Sequence, residues 1–125
     1  MILGVGIDLL EIGRVHEELA RRDWLLDDGI FTPREIRYCG GGKGQARRFA
    51  ACFAAKEATL KALGSQVVDL AMFREVEVSH LPNGSCEIVL HDRLQAELER
   101  LGARRIRLSI SHGAGQTVAT VILEA

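Results

Sequence analysis

The chain has 125 residues, 47% hydrophobic and 26% charged, which specifies one globular domain over residues 1–125 and argues against disorder. Sixteen Lys and Arg against seventeen Asp and Glu leave a net charge of -1, so no general nucleic-acid-binding surface is expected. The longest unbroken apolar run, 49–55, is too short to cross a membrane, and the first residues lack an export pattern. Three cysteines, none in a C-x-x-C pair, argue against a structural zinc site, so the chain reads as a soluble, reduced, cytoplasmic protein.

Residues 1–10 read as a buried strand. Its alternation sets Leu3, Val5, Ile7 and Leu9 on one face and Gly4, Gly6 and Asp8 on the other, leaving open space beside the Asp8 carboxylate. A helix follows, with Ile12, Val15 and Leu19 inward and Arg14, Glu18 and Arg21 sharing another face. Thr32-Pro33-Arg34-Glu35 starts a further helix, with Thr32 as N-cap, Pro33 at N1 and Glu35 at N3. Residues 40–44 form a flexible loop carrying Lys43.

From Ala46 to Leu63 the chain is rich in alanine and free of Gly and Pro, a strong helix composition. Phe49, Phe53, Leu60 and Leu63 fall within about 80° of one another at helical spacing and form a core stripe. Ala51, Ala55, Ala58 and Ala62 line the opposite side, which permits close packing there as well. Lys56 falls inside the Phe stripe and must either snorkel out or find an anion. Glu57 and Lys61 share a small-walled flank beside Ala50 and Ala54 that can accept a ligand.

The pattern then turns to strands. Glu75–Leu81 and Cys86–Leu90 flank the turn Pro82-Asn83-Gly84-Ser85. Leu94, Leu98 and Leu101 mark a short amphipathic helix ending near Gly102, and Arg105–His112 and Thr117–Leu123 are strands joined by Gly113-Ala114-Gly115. This order predicts an α+β domain, with a mostly antiparallel sheet packed on the long Ala-rich helix.

Asp8 and Glu57, brought together from a strand end and a helix, form a carboxylate pair of the kind that holds Mg²⁺. Spacing alone equally fits an Asp8 helix cap and a Glu57–Lys61 (i, i+4) ion pair. Lys61 suits a phosphate, and Ser111-His112 before a Gly-rich turn offers hydroxyl, imidazole and turn amides to one. The 40–44 loop lacks the Gly-Lys-Ser/Thr ending of a P-loop, and no nucleophile elbow is present. His16, His80 and His91 read as surface residues, and Cys39, Cys52 and Cys86 as structural.

Three segments together resemble the holo-acyl-carrier-protein synthases, the small phosphopantetheinyl transferases. They are Gly4-Val5-Gly6-Ile7-Asp8 with Ile12 and Arg14, Phe53-Ala54-Ala55-Lys56-Glu57-Ala58 with Lys61-Ala62-Leu63, and Ser109-Ile110-Ser111-His112. The resemblance extends over nearly the whole chain and implies the 4′-phosphopantetheinyl transferase fold. It also implies transfer of the 4′-phosphopantetheine arm of coenzyme A to a serine of an apo acyl carrier protein, releasing adenosine 3′,5′-bisphosphate. On this basis Asp8 and Glu57 hold Mg²⁺, Lys61 stabilises the phosphate in flight, and the serine proton goes to Glu57 or to a metal-bound water. The resemblance likewise assigns Lys43, Arg47, Gly84, Ser111 and His112 to coenzyme A, and Arg14 and Arg21, with Arg22 beyond, to the acidic carrier. Relatives are usually homotrimers with active sites between subunits, so Lys43, Arg47 or Arg48 can serve a neighbour's ligand. They commonly carry Arg where this chain has Cys52. An inactive carrier-binding homologue and a Mg²⁺-dependent phosphohydrolase are the rival functions, separated by the products formed.

Overall fold

The computed structural model describes residues 1–21 and 29–125; Arg22 lies outside them. The elements run β1 (Ile2–Glu11), α1 (Ile12–Ala20), α2 (Pro33–Cys39), α3 (Gln45–Leu63), α4 (Ala71–Arg74), β2 (Val76–His80), β3 (Cys86–Leu90), α5 (Asp92–Leu101), β4 (Arg105–Gly113) and β5 (Gln116–Glu124). The strands form two sheets, β1-β5-β4 and the hairpin β2-β3, antiparallel at every pairing among the described residues. The α+β expectation therefore holds, with the strands divided between two sheets. The expected elements all appear, and the short α4 is added before β2.

Local chemistry explains the boundaries. Thr32 and Glu35 form the predicted capping box, each side chain accepting from the other's backbone N–H, with Pro33 next to the cap. α3 ends at Gly64 in a left-handed conformation, where Ser65 N donates to Leu60 O at 3.1 Å and satisfies a terminal carbonyl.

α3 is the centre of the molecule. Its Phe49, Phe53, Leu60 and Leu63 are buried, with Phe31 packed edge-on against Phe49 at 5.0 Å between ring centroids. The alanine side lies on the inner face of the three-stranded sheet, over Ala119, Val121 and Leu123. A Cβ at Gly4 would strike the Ala62 carbonyl oxygen, and one at Gly6 that of Ala58, so only glycine admits this backbone-to-backbone approach.

The strand expected to be buried is covered on one face only. The Gly4, Gly6, Asp8 face of β1 turns inward against α3, while Val5, Ile7 and Leu9 stand 58–59% exposed on the outer face. Across the sheet, Val5 neighbours Ile122 and Arg107, Ile7 neighbours Thr120 and Ser109, and Leu9 neighbours Val118 and Ser111. The apolar row is thus part of an outward face, and the space beside Asp8 is bounded by α3.

Lys56 finds its anion. Fully buried, its ammonium lies 2.7 Å from Glu35 Oε1 and donates to the carbonyls of Phe73 (2.8 Å) and Val76 (2.6 Å). The other Glu35 oxygen accepts from Val78 N at 2.8 Å and from the Cys52 thiol at 3.3 Å. This cluster ties α2, α3 and β2 together beneath the site.

Candidate active site

Asp8 and Glu57 approach each other between the end of β1 and the middle of α3. Asp8 is buried and does not cap α1, whose N-cap is Glu11. Its Oδ1 accepts from Lys61 Nζ at 3.0 Å, and the same ammonium donates to Ile7 O at 3.0 Å. Lys61 is therefore bonded to Asp8 across the helix–strand junction, while its side chain remains 56% exposed to solvent. Burial raises the Glu57 carboxyl from its ordinary 4.5 to about 7, helped by the charge of Asp8 and a hydrogen bond with it, and opposed by Lys61. Two carboxylates and one lysine leave this site an anion in excess.

Oxygen donors of this kind fit Mg²⁺, which binds through one or two carboxylates and completes its shell with water or phosphate. A proton held near neutrality between two acids is one that a divalent cation can displace. The predicted Asp8, Glu57 and Lys61 are thus brought together.

A second region lies between α3 and the hairpin. It is a cleft of about 370 Å³ lined by Arg47, Cys52, His80, Gly84 and His112, with Tyr38 at its side. His112 Nδ1 and Thr117 Oγ1 lie 2.7 Å apart, which orients the ring. Burial lowers the His112 pKa, and the nearby Arg47 guanidinium lowers it further, so the cleft offers a neutral imidazole beside the guanidinium cations of Arg47 and Arg48. Arg47, Gly84 and His112 are brought together as expected.

Other candidates separate from this group. Ser111 follows the alternation of β4 to the outer face, beside Val118 and away from the cleft. Lys43 lines a different cavity with Ile12 and His16, which reaches the cleft only through Arg47. Arg48 does line the cleft beside Arg47, but its guanidinium is held by its own loop, donating to the carbonyls of Cys39 (2.9 Å), Lys43 (3.0 Å) and Gly41 (2.5 Å), which rigidifies residues 40–44. Cys52 is buried in the floor; burial raises its pKa well above the ordinary thiol range, so it supplies no charge to the cleft. Arg14 is exposed on α1, and Arg21 is exposed but paired with Glu18.

Tyr38 and His80 were not anticipated. Their rings stack at 3.4 Å between centroids and 13° between planes, making one wall of the cleft. The signal was present in β2, where His80 shares the inward alternation of Val76 and Val78.

Comparison with known proteins gives the family. Residues 4–120 match the model of the 4′-phosphopantetheinyl transferase superfamily. The chain is 41% identical over 124 residues to the holo-[acyl-carrier-protein] synthase of Koribacter versatilis, covering 99% of each. It superposes on the crystal structure of the Neisseria meningitidis holo-[acyl-carrier-protein] synthase with a TM-score of 0.86, at 29% identity and full coverage of both chains. The Helicobacter pylori holo-[acyl-carrier-protein] synthase, solved in complex with coenzyme A, aligns with a TM-score of 0.77 at 26% identity, over 96% of this chain and 99% of that one. The chain accordingly belongs to the 4′-phosphopantetheinyl transferase superfamily, among its holo-[acyl-carrier-protein] synthases.

Proposed function

We propose that this chain, as a single domain over residues 1–125, transfers the 4′-phosphopantetheine arm of coenzyme A to a serine of an apo acyl carrier protein in the cytoplasm. The observation that carries this reading is the Asp8–Glu57–Lys61 cluster, in which burial and the neighbouring Asp8 raise Glu57 to about 7 and Lys61 bonds Asp8. The serine oxygen attacks the phosphorus bearing the pantetheine arm. The bond to the nucleotide phosphate breaks, and adenosine 3′,5′-bisphosphate leaves with that electron pair. Asp8 and Glu57 would hold Mg²⁺, which when bound supplies charge neutralisation on the pyrophosphate. Lys61, oriented by Asp8 and Ile7 O, reaches a phosphoryl oxygen and stabilises charge gathered there. The serine proton passes to Glu57 or to a water bound beside it.

Arg47 and His112, with the turn at Gly84, suit the nucleotide phosphates, while the stacked Tyr38 and His80 give the cleft an aromatic wall. Asp8 lies on one edge strand of the sheet and His112 on the other, with α3 packed over the strands near Asp8. This division fits a homotrimer in which the carboxylates of one subunit meet the cleft of the next, Ser111 and Lys43 facing the junction. The exposed Val5, Ile7 and Leu9 row gives the apolar surface for such packing. Arg14 and Arg21 on α1 form the reception surface for the acidic carrier. No helix among the described residues is long and apolar enough to cross a membrane, and all three cysteines are free, in keeping with reducing surroundings.

The test is incubation with coenzyme A, Mg²⁺ and apo carrier, followed by intact-mass measurement of the carrier. The expected result is a mass gain of one phosphopantetheinyl group, abolished by EDTA. Release of free phosphopantetheine without a carrier would instead establish a hydrolase. Sedimentation of the protein gives the subunit number, and a stable monomer overturns the shared site.

A further inference from the structure

The inner face of β5 carries the row Thr117, Ala119, Val121 and Leu123, all of them buried. Thr117 is 1% exposed and brings the only polar side chain to that row. A valine has the same shape and would fill the position without a buried hydroxyl, a group that costs stability unless it is bonded. Thr117 stands opposite His112 in the β4–β5 register, and its Oγ1 lies 2.7 Å from Nδ1 of that ring. Among the described residues this is the one hydrogen bond of the Thr117 side chain.

The hydroxyl decides the direction of that bond. An oxygen that only accepted from an Nδ1–H would leave its own proton buried without an acceptor. Donation to Nδ1 satisfies the hydroxyl proton and leaves the ring's own proton on Nε2, because a neutral imidazole carries one N–H. A neutral ring suits this place, since burial and the Arg47 guanidinium both disfavour a further cation there. The neighbouring guanidinium cations then supply charge to the cleft, and His112 supplies a directional N–H. We propose that Thr117 is a positioning residue of the cleft, donating to His112 Nδ1 so that the imidazole presents Nε2–H to a phosphate oxygen of the nucleotide. This role rests on the transferase reading, which makes a nucleotide the occupant of the cleft. It adds the side chain that sets the tautomer and the orientation of one phosphate donor.

Heteronuclear NMR of the imidazole nitrogens in the unaltered, ligand-free chain is expected to show His112 protonated on Nε2. Thr117→Val removes the hydroxyl and keeps the shape, so the fold is expected to persist, with thermal unfolding as the check. Calorimetry should then show adenosine 3′,5′-bisphosphate binding weakened by about three- to tenfold, the effect of one hydrogen bond. The KM for coenzyme A rises alike, and the carrier KM stays unchanged. Thr117→Ser keeps the hydroxyl and should restore most of the binding. In a His112→Ala background Thr117→Val should add no further loss, because the hydroxyl acts through the ring. A His112 ring protonated on Nδ1, or equal binding by Thr117→Val and the unaltered chain, overturns the role of Thr117 and leaves the transferase reading intact. So does an equal loss in Thr117→Ser, or an additive loss in the His112→Ala background. If the unaltered chain neither binds coenzyme A nor modifies a carrier, the transferase reading itself fails and the role of Thr117 falls with it.

Discussion

Lys56 and Glu57 are neighbours on one helix, and each meets a residue of opposite or like charge from elsewhere in the chain, with opposite results. Lys56 is sealed in the core, where Glu35 and two carbonyls satisfy its ammonium, and Glu35 is itself saturated by Thr32, Val78 and Cys52. Glu57 faces Asp8, another acid, with Lys61 as partial compensation and solvent within reach. The first cluster has every partner it needs and holds three elements together. The second holds an acid raised to about 7 by burial and a second acid, the feature on which the active-site proposal rests. Residue type does not separate the two clusters; completeness of pairing does.

The sharpest way to break this contrast is to remove the acids one at a time. Asp8→Ala and Glu57→Ala are each expected to lower transfer by about 10²–10³-fold, as loss of a preorganised electrostatic group does. Melting temperature is expected to hold or rise for Glu57→Ala, which relieves repulsion with Asp8, and to change less favourably for Asp8→Ala, which also forfeits the bond from Lys61. Carrier mass kinetics and thermal unfolding check both halves. Near-normal Mg²⁺-dependent turnover in either variant would remove that residue from the active site.

Lys56→Met should do the reverse. It leaves the Glu35 carboxylate buried without its cation, a change that typically costs about 3–5 kcal/mol. Urea unfolding is expected to show that loss, and activity should fall only with the folded fraction. Glu35→Gln added to Lys56→Met should recover part of the stability, since the amide oxygen still accepts a bond while the uncompensated charge is gone. A double variant no more stable than the single one would mean that the charge is not the source of the cost.

A proton provides the third probe. Glu57 has its pKa raised from 4.5 to about 7 in the folded chain, so between those values the folded state holds a proton the unfolded chain has released. Its contribution to metal-free stability is therefore fully present below 4.5 and is lost as pH rises through about 7. Melting measured in EDTA across this range should show a downward trend that Glu57→Gln flattens. On the proposed metal site, Mg²⁺ would displace the same proton, so its apparent affinity should climb with pH by up to about tenfold per unit below neutrality. A pH-independent Mg²⁺ affinity in that window would contradict a shared proton at the metal site.

How far the sequence reveals this contrast depends on the range of the interaction. The Thr32–Glu35 capping box, the Ala-rich helix and the hairpin turn at Gly84 are encoded within a few residues, and each is legible. Lys56 is legible as a problem, since it breaks an apolar stripe, but its solution, Glu35, sits on another helix 21 residues earlier by number. The exposure of one face of β1, read as a buried strand, escaped the sequence for a related reason. Alternation divides Val5, Ile7 and Leu9 from Gly4, Gly6 and Asp8, and burial by hydrophobicity would send the first set inward. The Ala58 and Ala62 carbonyls instead demand bare backbone opposite them, a constraint visible only once helix and strand are superposed. Asp8 and Glu57 were legible as a pair through family resemblance, whereas residue spacing equally allowed a cap and an ordinary ion pair. Ser111 was grouped with His112 by sequence proximity, although adjacent strand residues point to opposite faces.

The smallest expected effect lies farthest from both clusters and sharpens the comparison by contributing to neither. Arg14 is exposed on α1, where its charge is screened by solvent and contributes little to folding. Arg14→Glu should therefore leave the melting temperature and coenzyme A affinity unchanged. If α1 receives the acidic carrier, the reversed charge raises the carrier KM by a few-fold to about tenfold at low salt, and added salt narrows the difference because it screens the encounter. Arg21 already spends part of its charge on Glu18, so Arg21→Glu should act in the same direction and more weakly. The discriminating quantity is the ratio of the two KM changes. A rise in the carrier term alone assigns Arg14 to recognition, whereas a matching rise for coenzyme A moves it to the nucleotide cleft and leaves α1 without a demonstrated role in docking.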